Sequence, residues 1–136
     1  LITNLNKPVT DFLDKDHDFF IHEDINGLNA ASFIVRKSEW SKKWLKIVIE
    51  KAAASDHCWH EQKVMIDHYK LPEWSDKIKV LEHPAINSYN YARYGRGPET
   101  PGNWQKGQLV LSLPGITFIE RLSFITNFLS SDNIVY

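Results

Sequence analysis

Cysteine, net charge and long apolar runs are all scarce in this sequence of 136 residues. The single cysteine, Cys58, excludes an internal disulfide. A net charge of -1 provides no basic surface potential that would attract nucleic acid or an anionic membrane. No run approaches the ~18 consecutive apolar residues of a transmembrane helix. The sequence therefore predicts neither a nucleic-acid partner nor a membrane segment within this chain.

The composition is that of an ordinary globular protein. Hydrophobic residues make up 43% of the chain and charged residues 24%, and the length is sufficient for a hydrophobic core. We therefore expect one compact domain without an internal boundary. Because the sequence starts at Leu1 rather than at methionine, we also expect it to belong to a longer protein.

Apolar periodicity predicts strands that alternate with helices. The clearest helix covers residues 38–54, with Trp40, Trp44, Ile47 and Val48 on one face. Other helices are predicted over residues 8–14, 61–69 and 120–129, the last with Leu122, Ile125 and Leu129 on one apolar face. Strands are predicted over residues 19–22, 31–36, 78–81 and 108–113, and a long loop over residues 90–106. This alternation is typical of an α/β domain.

A polar turn that contains a glycine is predicted just before the second strand. Asp24, Asn26 and Asn29 supply the donors and acceptors that sugar hydroxyls require. Gly27 allows the backbone to approach a ligand closely. The strand that follows leads to Ser38, a predicted helix cap. The segment therefore favours a carbohydrate site.

The same segment resembles a motif of a glycosyltransferase family. That family contains fungal Golgi α-mannosyltransferases, yeast α-galactosyltransferase and plant xyloglucan xylosyltransferases. Its motif has a glycine where Ala31 stands here. The matching residues are Gly27, Leu28, Asn29, Ser32, Phe33, Arg36, Ser38 and Trp40.

Two weaker matches lie farther along the chain. By resemblance, Gln62 corresponds to a glutamine beside the reacting carbon of the donor sugar, and Glu61 corresponds to an acidic residue that contacts the donor sugar or the acceptor. The alternative is that Glu61 is only an acidic residue favoured by the helix dipole. Asn87 and Tyr89 match a segment that could line the acceptor groove. The alternative is a turn with Tyr89 in the core.

The segment from Trp104 to Gly115 is similar to the family's metal-binding segment. Ser112 stands where the family has a histidine that binds Mn²⁺, and Gln108 replaces an aspartate. Serine is a poor ligand for Mn²⁺, so the substitution questions metal-dependent activity. Gly115 is where the family's backbone approaches the phosphates of the donor.

The family's Asp-x-Asp metal motif is expected upstream of Leu1. The acidic run from Asp14 to Asp18 fits the pattern, but we interpret it as a solvated turn. His57, Cys58 and His60 lack the paired spacing of a structural zinc site.

The resemblance implies the C-terminal part of a GT-A-like catalytic domain over residues 1–136, with a mixed sheet flanked by helices. It implies a retaining transfer of a hexosyl or pentosyl group from a nucleotide sugar to a glycan acceptor in the Golgi of a eukaryote. Asn29, Glu61, Gln62 and Ser112 should then line one cleft. The alternatives are a non-catalytic carbohydrate-binding or structural relative and an unrelated α/β interaction domain.

Overall fold

The computed structural model describes residues 1–131 and 134. The sequence predicts one domain, whereas the chain divides into two compact units. One is continuous and comprises residues 12–82. The other, the split unit, combines residues 1–11 with residues 83–136.

A small mixed sheet forms the centre of the continuous unit. Its strands are β1 (Phe19–Asp24), β2 (Gly27–Val35) and β3 (Ile78–Leu81), in the spatial order β2-β1-β3. Strand β1 runs antiparallel to β2 and parallel to β3. The helices are α1 (Glu39–Ala53), α2 (His60–His68) and the short α3 (Pro72–Ser75). The sheet and its helices confirm the α/β class.

Helix α1 follows from local sequence signals. Ser38 accepts a hydrogen bond from the Ser41 amide, and Ser41 Oγ accepts one from the Ser38 amide, so the two form a capping box. Trp44 and Val48 are buried, and Trp40 and Ile47 pack against the core, as the spacing predicts. The predicted cap and inward face of this helix are confirmed.

The core of the continuous unit joins β-strand and helix side chains. Trp44 is fully buried, and its ring centroid lies 6.0 Å from that of Phe19 and 5.4 Å from that of Trp74. The complete buried cluster is Phe19, Ile21, Leu28, Trp44, Val48, Val64, Met65, Trp74 and Ile78. Trp44 of α1 thus packs against both strand β1 and helix α3.

The polar turn before β2 is shorter than predicted. Only Ile25 and Asn26 connect the strands, and β2 already begins at Gly27 rather than at Ala31. Gly27 adopts a φ of 99°, which is strained for any residue with a Cβ. The predicted strand therefore begins four residues earlier than expected, because Leu28 is buried and anchors this part of the chain in the sheet.

The split unit contains little regular structure. It has 3₁₀ helices at Val9–Phe12, which extends one residue beyond it, and at Tyr91–Tyr94, and one long helix, α4 (Phe118–Leu129). The predicted strand over residues 108–113 is wrong, since only isolated bridges form there. Val110 pairs with Ile2, whereas Ser112 pairs with Tyr89, so the segment changes partner within two residues.

The predicted apolar face of α4 is also wrong. Leu122 and Leu129 are exposed, whereas Phe128 is buried and stacks on Phe124 one turn earlier. The ring of Trp104 packs edge-on against Phe128, at a centroid distance of 5.0 Å. The inward face of α4 is therefore formed by large aromatic rings and not by the aliphatic residues whose spacing predicted it. No helix among residues 1–131 is long and apolar enough to cross a membrane.

Replacing Trp44 should strongly destabilise the chain. Trp44→Ala leaves a cavity in the core, and such a change costs about 3–5 kcal/mol of unfolding free energy. Trp59→Ala is the matched control, because Trp59 is 42% exposed and should lose less than about 1 kcal/mol. Urea unfolding followed by circular dichroism measures both. Equal losses would show that Trp44 does not anchor the core.

Candidate functional site

Two predicted sugar-binding side chains, Asp24 and Asn29, bond to each other at the hairpin of the continuous unit, and the predicted catalytic residue Gln62 bonds to the backbone next to them. We call Asp24, Asn29 and Gln62 the hairpin cluster. The Asn29 side-chain amide donates to Asp24 Oδ2 at 2.6 Å, and the Asn26 amide donates to Asp24 Oδ1 at 2.7 Å. Gln62 Oε1 accepts a hydrogen bond of 3.2 Å from the amide of Ala30, the neighbour of Asn29.

A bulge in β2 creates this meeting point. His22 pairs with Asn29, but Ile21 pairs with Phe33, so Ala30, Ala31 and Ser32 have no directly opposed partner on β1. Residues in a bulge leave the regular ladder, and their amides need other acceptors. Asn29 Oδ1 accepts from the Ala31 amide, and Gln62 accepts from the Ala30 amide. Ser32 is half-buried inside the bulge.

The start of α2 presents Glu61 and Gln62 differently. Glu61 is exposed in the first turn, where a carboxylate is favoured by the helix dipole. Gln62 is half-buried and directed to the β2 bulge. His60, just before them, has a φ of 37°, a left-handed conformation that is costly for a residue with a Cβ. Such local strain is frequent at functional sites.

The predicted acceptor and metal residues form a second group, in the split unit. We call Asn87, Tyr89 and Ser112 the amide cluster. Asn87 is fully buried and Tyr89 is 5% exposed. The Asn87 side-chain amide donates to the Tyr89 hydroxyl at 3.0 Å, and the Ser112 hydroxyl donates to Asn87 Oδ1. This is the geometry of a buried polar network, which matches the core alternative for Tyr89.

The amide cluster does not fit Mn²⁺. The Ser112 hydroxyl is already a donor to Asn87, and an amide and two hydroxyls are poor ligands for this ion. Among residues 1–131 and 134, no group of three His, Cys, Asp or Glu side chains could hold a metal ion. Mn²⁺ therefore stays a prediction from the resemblance. Gly115 lies in an exposed turn with a φ of 66° and open space beside it.

The acidic run from Asp14 to Asp18 has a structural role. Asp14 Oδ1 accepts from the amides of Asp16 and His17, both at 3.0 Å, and lies 2.8 Å from His17 Nδ1. Lys79 Nζ donates to Asp14 Oδ2 at 2.8 Å. The hydrogen bond with Lys79, followed by that with His17, lowers the pKa of Asp14 well below its ordinary range. The carboxylate thus fastens a turn to strand β3.

Sequence reasoning brings together only part of the site. Asp24 bonds to Asn29, and Gln62 bonds to the amide of Ala30, whereas Ser112 belongs to the other unit. Their common cleft stays a prediction. Hydrophobic periodicity does not predict the bulge in β2. The adjacent small residues Ala31 and Ser32 are the sequence feature that could have indicated it.

An α/β architecture with polar clusters is consistent with what this chain is similar to among known proteins. Residues 4–122 match the galactosyl transferase GMA12/MNN10 family, so the chain belongs to that family and the predicted resemblance is confirmed. It is 28% identical over 99 residues to the probable alpha-1,2-galactosyltransferase gmh1 of Schizosaccharomyces pombe (strain 972 / ATCC 24843). The match covers 71% of this chain and 28% of that relative. No solved structure matches the chain.

The stability of the chain should depend on Asp14 between about pH 5 and pH 2. Its pKa is lower in the folded than in the unfolded state. The stabilisation is therefore complete above the unfolded value, about 4, and is lost as the pH falls through the folded value. Asp14→Asn should lower the urea midpoint at pH 7, and the two proteins should converge as the pH falls.

Asp56→Asn is the control for this titration, because Asp56 is exposed and its side chain bonds to no described residue. It should leave the midpoint unchanged at each pH. A constant difference between wild type and Asp14→Asn from pH 7 to pH 3 would contradict the assigned role of Asp14.

Proposed function

We propose that this chain is the catalytic and acceptor-side portion of a retaining, nucleotide-sugar-dependent glycosyltransferase with a GT-A fold. The observation that carries the proposal is the family membership of residues 4–122, and the hydrogen bond of Gln62 with the Ala30 amide, next in sequence to Asn29, supports it. The relative gmh1 is named a galactosyltransferase, so galactose is the first hexosyl group to test. A Golgi location is the corresponding prediction for the whole protein.

The hairpin cluster has the chemistry to hold a sugar. The Asp24 carboxylate fixes the Asn29 amide, and a side chain held in this way loses little entropy when it binds a hydroxyl. Asn26, at the exposed tip, offers a second amide. Gly27 and Ser32 leave room for a ring beside the strand, since neither has a bulky side chain.

Gln62 is the proposed catalytic residue. Its hydrogen bond with the Ala30 amide sets the orientation of the side chain, and Oε1 keeps a second lone pair. In the proposed reaction, the sugar–phosphate bond breaks, the acceptor oxygen bonds to the sugar carbon on the same face, and a phosphate oxygen of the leaving nucleoside diphosphate takes the proton of the acceptor hydroxyl. Gln62 Oε1 then faces the positive charge that develops at the sugar carbon, and Glu61 contacts the donor or the acceptor.

The amide cluster favours a second candidate, a non-catalytic carbohydrate-binding relative. Ser112 stands at the family's metal-binding position, yet its hydroxyl bonds to Asn87. A protein of this kind would bind a glycan without transferring a sugar. Gly115, Asn87 and Tyr89 would then have only structural roles in the split unit.

The test of catalysis uses the full-length protein encoded by the reading frame that contains this chain. With UDP-galactose and a mannoside acceptor, we expect a product of retained anomeric configuration, read by proton NMR early in the reaction. Gln62→Ala should lower kcat about 100-fold, the scale on which one electrostatic group acts. Lys63→Ala, a neighbouring change in an exposed ion pair, should have little effect.

Three results would oppose this mechanism. Inverted configuration excludes the retaining reaction, and unchanged kcat in a folded Gln62→Ala protein removes Gln62 from the chemistry. Glycan binding without turnover, over a panel of nucleotide sugars that includes GDP-mannose and UDP-xylose, selects the non-catalytic relative instead.

A further inference from the structure

A cleft of about 750 Å³ lies in the split unit, beside the 3₁₀ helix Tyr91–Tyr94 and helix α4. Small-molecule sites typically have volumes of roughly 300–1,000 Å³. The residues predicted to bind the donor, the acceptor or the metal do not line this cleft. It is thus a separate candidate site within one unit.

Aromatic rings form one part of the cleft wall. Trp104 and Phe124 both line it, and each is half-buried, so part of each ring is accessible. The Arg93 guanidinium lies 5.9 Å from the centroid of the Phe124 ring. Aromatic rings offer flat apolar surface with a negative face, which suits the C–H groups on one side of a sugar ring.

Hydrogen-bonding side chains without partners form another part of the wall. The side chains of Asn90, Ser123 and Asn127 make no hydrogen bond with any residue that the structure describes. Ser123 and Asn127 are four residues apart on α4 and therefore lie side by side. Amides and hydroxyls both donate and accept, and the hydroxyls of a sugar require this combination.

The charges in the cleft disfavour an anionic ligand. Arg93 NH2 lies 3.6 Å from Glu120 Oε1, so the cation already has a carboxylate beside it. A phosphate or carboxylate ligand would be repelled by Glu120. A neutral ligand with many hydroxyls meets no such opposition, and the Arg93–Glu120 pair can hydrogen-bond to it.

We propose that this cleft binds a short neutral oligosaccharide, as a glycan subsite distinct from the hairpin cluster. The choice of carbohydrate rests on the proposed function, whereas the site itself is defined by its aromatic and unpartnered polar side chains. Trp104 and Phe124 contact the sugar rings, and Asn90, Ser123 and Asn127 bond to the hydroxyls.

Binding can be measured on the 136-residue chain without any donor or turnover. The probes are methyl glycosides of mannobiose, galactobiose and cellobiose. Each is titrated to about 20 mM, because a shallow sugar site is expected to have a Kd of about 1 mM. Shifts of the Trp104 indole signal and of the Asn90 and Asn127 amide signals report occupancy by NMR. We expect at least one disaccharide to shift all three signals.

A matched pair of substitutions on α4 tests the site. Asn127→Ala removes a cleft side chain, whereas Thr126→Ala changes its exposed neighbour, which does not line the cleft. The double variant Ser123→Ala/Asn127→Ala should weaken binding about tenfold, since it removes two hydrogen bonds. Thr126→Ala should bind as wild type does. Circular dichroism confirms that each variant is folded.

The outcomes separate this proposal from the enzymatic one. Saccharide shifts that are weakened only by the cleft variants support the subsite, even if the full-length protein transfers no sugar. No shift with any disaccharide overturns it, as does equal binding by wild type and the double variant. Saturable binding of the neutral apolar dye N-phenyl-1-naphthylamine that shifts the same NMR signals, with no saccharide effect, also overturns it and identifies an apolar site.

Discussion

Burial of strand β1 is the constraint on which the continuous unit depends. Its first four residues, from Phe19 to His22, are all inaccessible to solvent, so both faces of the strand are covered. Strand β1 lies between β2 and β3, and its backbone groups are paired on both edges. Phe19 and Ile21 join Trp44 and Met65 in the core, which places the helices on one face of the sheet. The exposed run of charges on α1 then follows from its amphipathic pattern.

The polar site exists because one strand of that sheet is irregular. Strand β2 pairs with β1 on both sides of Ala30–Ser32, but the extra residues leave amides that the ladder cannot satisfy. Gln62, on α2, accepts a hydrogen bond from one of them, the amide of Ala30, and is thereby held against the bulge. The same hydrogen bond thus stabilises the bulge and orients the proposed catalytic side chain. A stability requirement and a functional one coincide in a single contact.

The split unit is organised by polar contacts between distant segments. The amide of Thr3 donates to the Leu109 carbonyl, and the amide of Ser112 donates to the Ser88 carbonyl, both at 2.8 Å. With so little regular structure, buried side chains such as Asn87 replace strand ladders as partners. This explains why the Ser112 hydroxyl bonds to Asn87, and the aromatic cleft beside α4 is a separate feature of the same unit.

The sequence by itself determined the family, the α/β class and helix α1. Ser38 and the spacing of Trp40 and Trp44 are local signals, which act between residues three or four apart and need no tertiary context. Only the tertiary structure decided the β2 bulge and the pairing of Gln62 with Ala30, which are 32 residues apart. It likewise decided which face of α4 is buried, because Phe128 packs against Trp104, a partner in a distant loop whose position no local pattern specifies.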